Sequence, residues 1–289
     1  MMRMIGKKVG EGGCSEVFEW GGNQQIVKVA KDNTIAEAVK REFSNNLLAW
    51  ENGLPAPRPY ELLEVGGRPS IVMERIHGES LLQHFFRYLM QSPSEINSND
   101  DPHETIKITA RLLHETHRMG NLPLPSQRDM MTSSIRSTGY LTTSEKEQII
   151  QHLNRLPIKK QVCHGDPNPG NIMIRGDQAV LIDWMNASTG NPEADLAEYI
   201  IMIQYAILPP HAPSQAVARF DTLRAHIIEV FCDEYRRLSG DSLDQVDDWI
   251  LPVAARKLCA DAISEEENML LLAEIRSRLS YIVKSHHFK

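Results

Sequence analysis

Between positions 162 and 184 the chain reads VCHGDPNPGNIMIRGDQAVLIDW, and within it Asp166, Asn171 and Asp183 supply two carboxylates and an amide oxygen. Residues 171–174 and 179–183 are short runs rich in Ile, Val and Leu, a composition suited to strands. Between them Arg175-Gly-Asp-Gln178 has the Gly and Asp of a tight turn. The two runs are therefore predicted to close as a hairpin with Asn171 and Asp183 near each other at its open end. Asp166 lies five residues before Asn171 on a loop broken by Pro and Gly, which cannot continue either strand. Hard oxygen ligands of this kind suit Mg²⁺, which keeps several waters and shares itself with substrate phosphates. Asp166 is then left to orient a nucleophile. Taken alone, the stretch fits a metal hydrolase, a nucleotide enzyme or a polar hairpin without chemistry.

The elements that would position these groups begin at the N-terminus. Val9-Gly-Glu-Gly-Gly-Cys-Ser-Glu-Val-Phe18 places a glycine cluster between β-prone runs, and a further run, Ile26-Val-Lys-Val29, follows a Gly21-Gly22-Asn23 turn. Glycines let backbone N–H groups approach a ligand closely, as phosphate cradles require, although the segment by itself reads as a plain hairpin. Lys28 alternates with Val27 and Val29 and so occupies the opposite face of its strand. Asn33 is the expected cap of a helix running to about Trp50, with Ile35, Val39, Phe43, Asn46, Leu47 and Trp50 as its buried stripe. At about 100° per residue Glu42 falls inside that stripe, whereas Glu37 lies on the far side. A carboxylate there is either hydrated at the stripe's edge or paired with a cation, Lys28 being the nearest in sequence. After the helix-breaking Gly53-Leu-Pro-Ala-Pro-Arg-Pro59, a strand pair is expected at 60–65 and 69–74 around Gly66-Gly67.

Composition bounds the rest. The chain has 289 residues, 42% hydrophobic and 24% charged, which is ordinary for a globular protein with a substantial core. A net charge of -7 and the lack of any long Lys/Arg run argue against nucleic-acid binding. The acidic balance mildly favours a cationic substrate. The four cysteines form no CxxC pair, which fits a reducing, cytoplasmic setting rather than a zinc site or a disulfide framework. The most apolar run, residues 199–208, is too short to span a bilayer.

In the second half, helices are expected from Asp101-Pro102, over 144–156, and through most of the chain after Pro192, whereas 91–101 and 122–135 read as irregular. His114 and His117 lack the spacing of a zinc-protease helix and are expected to be packed, hydrogen-bonded residues. Asp195 is expected to complement the start of the helix near Pro192. Asp244, Asp247, Asp248 and Glu265-Glu-Glu267 are the carboxylates that could meet an ammonium-bearing substrate, and otherwise read as a solvated helical face.

His164-Gly-Asp166, Asn171 and Ile182-Asp-Trp184 together resemble the catalytic signature of the aminoglycoside phosphotransferase and choline kinase-like family. The resemblance extends over most of the chain. Gly10, Gly12, Gly13 and Ser15 resemble the nucleotide-covering loop, Lys28 the strand lysine, Glu42 its helix partner, and Met73-Glu-Arg-Ile76 the hinge. It implies an α+β, two-lobed protein-kinase-like fold: a small antiparallel-sheet lobe at 1–76 that binds nucleotide, and a larger, mostly helical lobe at 77–289 with the catalytic loop and acceptor site. It further implies an ATP- or GTP-dependent small-molecule kinase, with Asp166 as catalytic base and Mg²⁺ held by Asn171 and Asp183. Lys28 would meet the α- and β-phosphates, and the Glu74 carbonyl and Ile76 N–H the adenine. The acceptor implied is aminoglycoside-like or another small hydroxylated or aminated metabolite. Two positions depart from protein kinases: Ser15 stands where many have a third glycine, and Gly165 replaces the Arg of their His-Arg pair, which makes protein substrates a poorer fit. A nucleotide-binding regulator or scaffold of the same fold, without turnover, is the second reading. Asp166, Asn171, Asp183 and Lys28 together speak against it.

Overall fold

The computed structural model describes residues 5–91, 102–209, 212–260 and 263–287. The first strands are β1 (Ile5–Glu11), β2 (Ser15–Trp20) and β3 (Gln25–Ala30), followed by helix α1 (Ala36–Glu51), β4 (Pro59–Val65) and β5 (Arg68–Glu74). Next come β6 (Glu79–Ser80), α2 (Leu81–Met90), α3 (Pro102–Arg118), α4 (Gln127–Ser137), α5 (Thr143–Arg155) and β7 (Gln161–Cys163). The hairpin β8 (Ile172–Arg175) and β9 (Gln178–Leu181) precedes β10 (Ser188–Gly190). The chain ends with α6 (Pro192–Tyr205), α7 (Ser214–Ser239), α8 (Val246–Lys257) and α9 (Glu265–His287). It divides into two units, Met1–His84 with Pro169–Ala187 and Phe85–Asn168 with Ser188–Lys289.

In the first unit an antiparallel sheet has the order β1-β2-β3-β5-β4, and a smaller one the order β6-β8-β9. Alternation along β3 divides its side chains between two clusters. Val27 and Val29 pack with Trp20 and Val72 on one face. Ala30 joins Ile71, Met73 and Val39 of α1 on the other. Lys28 therefore emerges on the α1 face, as its alternation with the valines predicts. The β4–β5 turn uses Gly66 and Gly67 at φ 59° and 78°, the left-handed pair that a two-residue hairpin with native twist requires.

Two expectations for α1 are corrected. Its N-cap is Ile35, without a side-chain cap bond, not Asn33. The Asn33 amide and Thr34 hydroxyl donate instead to the carbonyls of Gly13 and Cys14, so these two side chains tie the helix entry to the glycine-rich loop. The buried stripe is also rotated from the sequence estimate: Val39, Glu42, Asn45, Asn46 and Ala49 are buried, whereas Ile35 is exposed. Polar Asn45 enters the stripe because its amide reaches the carbonyls of Trp184 and Ala187.

The second unit is built around the helices from α3 to α9, with Leu113, Ile135, Ile149, Tyr199, Phe231 and Trp249 fully buried in one cluster. Each such side chain contributes roughly 1.5–3 kcal/mol through apolar burial. Tyr199 and Phe231 stack at 4.0 Å between ring centroids. The helix expected at 144–156 begins at Thr143, where Thr142 and Glu145 form a reciprocal capping box. Part of the stretch expected to be irregular, 122–135, is helix α4; Ser126 accepts from the Asp129 N–H and starts it directly after the prolines. The loop expected at 92–101, with the Asp101 cap, lies outside the described residues. Among the described residues no helix is long and apolar enough to cross a membrane.

Candidate active site

The hairpin predicted between Asn171 and Asp183 is present. Ile172 pairs with Leu181 and Arg175 with Gln178 across Gly176 at φ 64°. The Ile182 N–H donates to the Asn171 carbonyl at 2.8 Å, so Asn171 and Asp183 leave the hairpin side by side. Asp183 itself is left-handed at φ 65°, ψ 63°. Such a conformation costs a non-glycine residue roughly 1–2 kcal/mol, least for Asp or Asn. It turns the chain out of β9 into the short 3-10 turn Trp184–Asn186, whose buried Trp184 indole donates to the Leu181 carbonyl at 2.7 Å.

Lys28 gathers this corner of the first unit. Its ammonium lies 2.6 Å from Glu42 Oε1 and 3.1 Å from Asp183 Oδ1. Burial works against the ammonium, but Asp183 and Glu42 outweigh it and hold its pKa above the ordinary lysine value. Glu42 is 2% exposed, and burial pushes its carboxyl up to about 7 against the pull of Lys28, with Asp183 adding to the rise. One ammonium thus serves two carboxylates. Of the two, Asp183 is the more open, its side chain 38% exposed. An accessible carboxylate one residue past Ile182, whose N–H bonds back to Asn171, fits a hard divalent cation such as Mg²⁺.

The glycine-rich segment forms the β1–β2 connection. Gly10 pairs with Val17, the Gly12 N–H closes the tip onto the Ser15 carbonyl at 2.9 Å, and Gly13 lies between them. A Cβ on Gly12 would meet nothing within 4 Å, so its peptide is open to close approach. Ser15 is buried at the start of β2, paired with Ala30. Lys31 and Lys8 flank the tip and pull the Glu11 carboxyl down to about 2. Glu74 lies outside the Lys28 cluster: its carboxylate accepts from the Arg58 N–H and the Arg175 guanidinium, which pins the end of β5 just before half-buried Ile76.

Asp166 belongs to the second unit, half-buried on the loop after β7. Its N–H donates to His164 Nδ1 at 3.3 Å, across Gly165 at φ 78°. Asp195, expected only to complement a helix start, instead holds this loop. Its carboxylate accepts the His164 N–H at 2.7 Å, the Gly165 N–H at 2.9 Å and His117 Nε2 at 3.2 Å. Although burial opposes ionisation, those bonds keep its pKa below the usual carboxylate value. Arg256 supports the same loop, donating to the Gly165 carbonyl at 2.9 Å and to Glu198 at 2.6 Å, and Lys257 joins Glu198 at 3.2 Å.

Asp195, Glu198 and Arg256 were not legible as site residues from any motif. One signal was available: α6 is buried over nearly its whole first half, and carboxylates on a helix buried on every side require partners. His117, Cys163 and Asp195 bring potential ligand atoms within 4.8 Å of one another. Both His117 nitrogens are engaged, Nδ1 with the Tyr235 hydroxyl at 2.8 Å, and burial keeps the Cys163 thiol protonated. This is a hydrogen-bonded core cluster, in keeping with the expectation for His117.

Residues 10–238 match the model of the family described as Phosphotransferase enzyme family. A search of curated protein sequences returned no match. Among solved structures, an aminoglycoside-3'-phosphotransferase of type VIII is similar with a TM-score of 0.58 and 18% identity, over 90% of this chain and 92% of that one. A thermostable mutant of the aminoglycoside phosphotransferase APH(4)-Ia, in ternary complex with ADP and hygromycin B, gives 0.59 and 15% over 98% and 93%. The Streptomyces rimosus aminoglycoside phosphotransferase APH(3'')-Id, in complex with ADP and streptomycin, gives 0.54 and 16% over 85% and 90%. At such identities the likeness establishes a shared protein-kinase-like fold. Matched by the family model over most of its length, the chain belongs to the phosphotransferase enzyme family.

Proposed function

We propose that the protein is a small-molecule kinase that transfers the γ-phosphoryl group of ATP to a hydroxyl of a small metabolite, with Asp166 accepting or orienting the hydroxyl proton. The observation that carries the reading is the bonding of Lys28 to both Glu42 and Asp183. A merely structural lysine needs one buried carboxylate, whereas a phosphate-binding lysine must be held by one and presented beside a cation ligand. Asn171 and Asp183 are the residues that would hold Mg²⁺, since they pair an amide oxygen with a carboxylate whose side chain is 38% exposed. When bound, the ion neutralises charge on the nucleotide phosphates.

The remaining roles belong to the chain itself. Lys28 meets the α- and β-phosphates, and the loop at Gly10, Gly12, Gly13 and Ser15 covers them through its backbone N–H groups. The Glu74 carbonyl and Ile76 N–H take the base. The nucleotide is ATP, with GTP as the alternative, and residues 1–76 serve it while 77–289 carry the catalytic loop and acceptor. Asp195 and Arg256 keep the His164–Asp166 backbone in one conformation, so Asp166 loses no time-averaged alignment. The acceptor is an aminoglycoside-like or other small hydroxylated, aminated metabolite; similar folds bind hygromycin B and streptomycin.

A panel of hydroxyl compounds tested with ATP and with GTP, and read by nucleoside diphosphate release, checks this. Transfer to at least one compound is expected, with Asp166→Asn slower by about 10²–10⁴-fold and nucleotide affinity retained. Equal turnover in that variant would remove Asp166 from the mechanism. Tight Mg²⁺·ATP binding with no transfer across the panel would favour a non-catalytic regulator.

A further inference from the structure

The second unit contains a cleft of about 430 Å³. Its walls come from the end of α3, residues 120–121, the start of β7, the first turn of α6 and the end of α7. That volume suits a small metabolite. Three cationic side chains face it, Arg118, Lys159 and Lys160, against two anionic ones, Glu193 and Asp241. Lys159 is paired with Glu193. Among the described residues neither Arg118 nor Lys160 has an ion-pair partner. A cationic surplus runs against the chain's net charge of -7, so overall composition does not account for it. Burial, with Arg118 beside it, lowers the His114 pKa, so the imidazole is disposed to stay neutral within this cationic wall.

Two further features give the cleft chemical character. Gln161, on its wall, has a buried Oε1 with no hydrogen-bond partner. A buried acceptor left unsatisfied costs roughly 1–3 kcal/mol, which a ligand hydroxyl would relieve. The floor is formed by Tyr235 and His117, each about 5% exposed. From there a hydrogen-bond path runs from the Tyr235 hydroxyl to His117 at 2.8 Å and from His117 to Asp195 at 3.2 Å. Asp195 completes it by accepting the His164 and Gly165 amides.

We propose that this cleft is a second small-molecule site, for an organic phosphate bearing a hydroxyl, and that its occupation is relayed to the His164-Gly165 backbone through Tyr235, His117 and Asp195. Arg118 and Lys160 receive the phosphate, and Gln161 Oε1 accepts the ligand hydroxyl. A ligand that fixes the floor limits the opening of Asp195 away from the two amides, so their exchange with solvent slows.

Titration of the full chain with glycerol 3-phosphate, by calorimetry and by hydrogen exchange at His164 and Gly165, tests both parts without relying on phosphoryl transfer. Saturable binding is expected, weakened at least about tenfold in the Arg118→Ala/Lys160→Ala double variant, whose changes lie on exposed side chains. Ligand is expected to slow exchange at the two amides in the wild type. Tyr235→Phe, which keeps the ring, should retain binding and lose most of that slowing. Absence of saturable binding at millimolar ligand, or equal binding by the double variant, overturns the site. Binding without slowed exchange, or slowing that survives Tyr235→Phe, overturns the relay.

Discussion

In the first unit one buried ammonium, Lys28, serves two carboxylates, Glu42 and Asp183. In the second the arithmetic is reversed: Glu198 is shared by Arg256 and Lys257, and Asp195 is saturated by two backbone amides and an imidazole. The Lys28 cluster opens on a carboxylate whose side chain is 38% exposed. The Asp195 cluster is closed, since the carboxylate is 1% exposed and its bonds run to the backbone of one loop. A carboxylate open to solvent beside a buried lysine marks a place where a ligand can bind. Complete neutralisation under full burial marks a place where the protein holds its own shape. The first cluster should therefore be sensitive in binding, and the second in stability.

The largest effect expected from that contrast is on stability. Asp195→Ala leaves the His164 and Gly165 amides and His117 without their acceptor in the core. About 3–5 kcal/mol of unfolding free energy should be lost, as for removal of one member of a buried charged set. Denaturant unfolding of the full chain measures it; a loss no larger than that of an exposed pair would end the idea that Asp195 holds the loop. Next in size is Lys28→Met, which keeps the stem and removes the charge. Here kcat/KM for ATP should fall about 10²-fold, equivalent to about 2.7 kcal/mol, with a smaller change in unfolding. Asp183→Ala should abolish the Mg²⁺ dependence of nucleotide binding, read as equal affinity with and without the ion. If Lys28→Met proved to be mainly a stability mutant, the two clusters would not differ in kind.

The sequence made the first cluster readable and left the second dark, for physical reasons. Alternation places Lys28 opposite its valines, helical spacing turns Glu42 inward, and a Gly-Asp turn brings Asn171 and Asp183 together; each is a local rule acting over a few residues. Asp195 meets residues some thirty positions earlier, and Arg256 meets a carbonyl ninety-one positions away. No periodicity carries that information. Local competition also decided the errors. Asn33 has the right chemistry for a cap, but the glycine-loop carbonyls claimed it, and the cap moved to Ile35. The prolines at 123 and 125 suggested irregular chain through 135, whereas they only delay a helix that Ser126 then caps.

The smallest effect concerns Glu42, and it sharpens the contrast through pH. In the folded chain burial raises its carboxyl to about 7, and the neighbouring Asp183 adds to the rise, from an ordinary value near 4.5. The folded state therefore holds the proton more tightly than the unfolded state. The stability this gives is complete below about pH 4.5 and is lost as pH rises through 7. Glu42→Gln, which stays neutral, should flatten that slope while the acid-side stability of wild type and variant remains similar. Mg²⁺·ATP supplies a further lever. Cation bound at Asp183 offsets the charge that helps keep Glu42 protonated, so the wild-type slope between pH 5 and 8 should shrink when the complex is saturating. A slope identical with and without Mg²⁺·ATP would mean that Asp183 is not where the cation acts, and the first cluster would be as self-contained as the second.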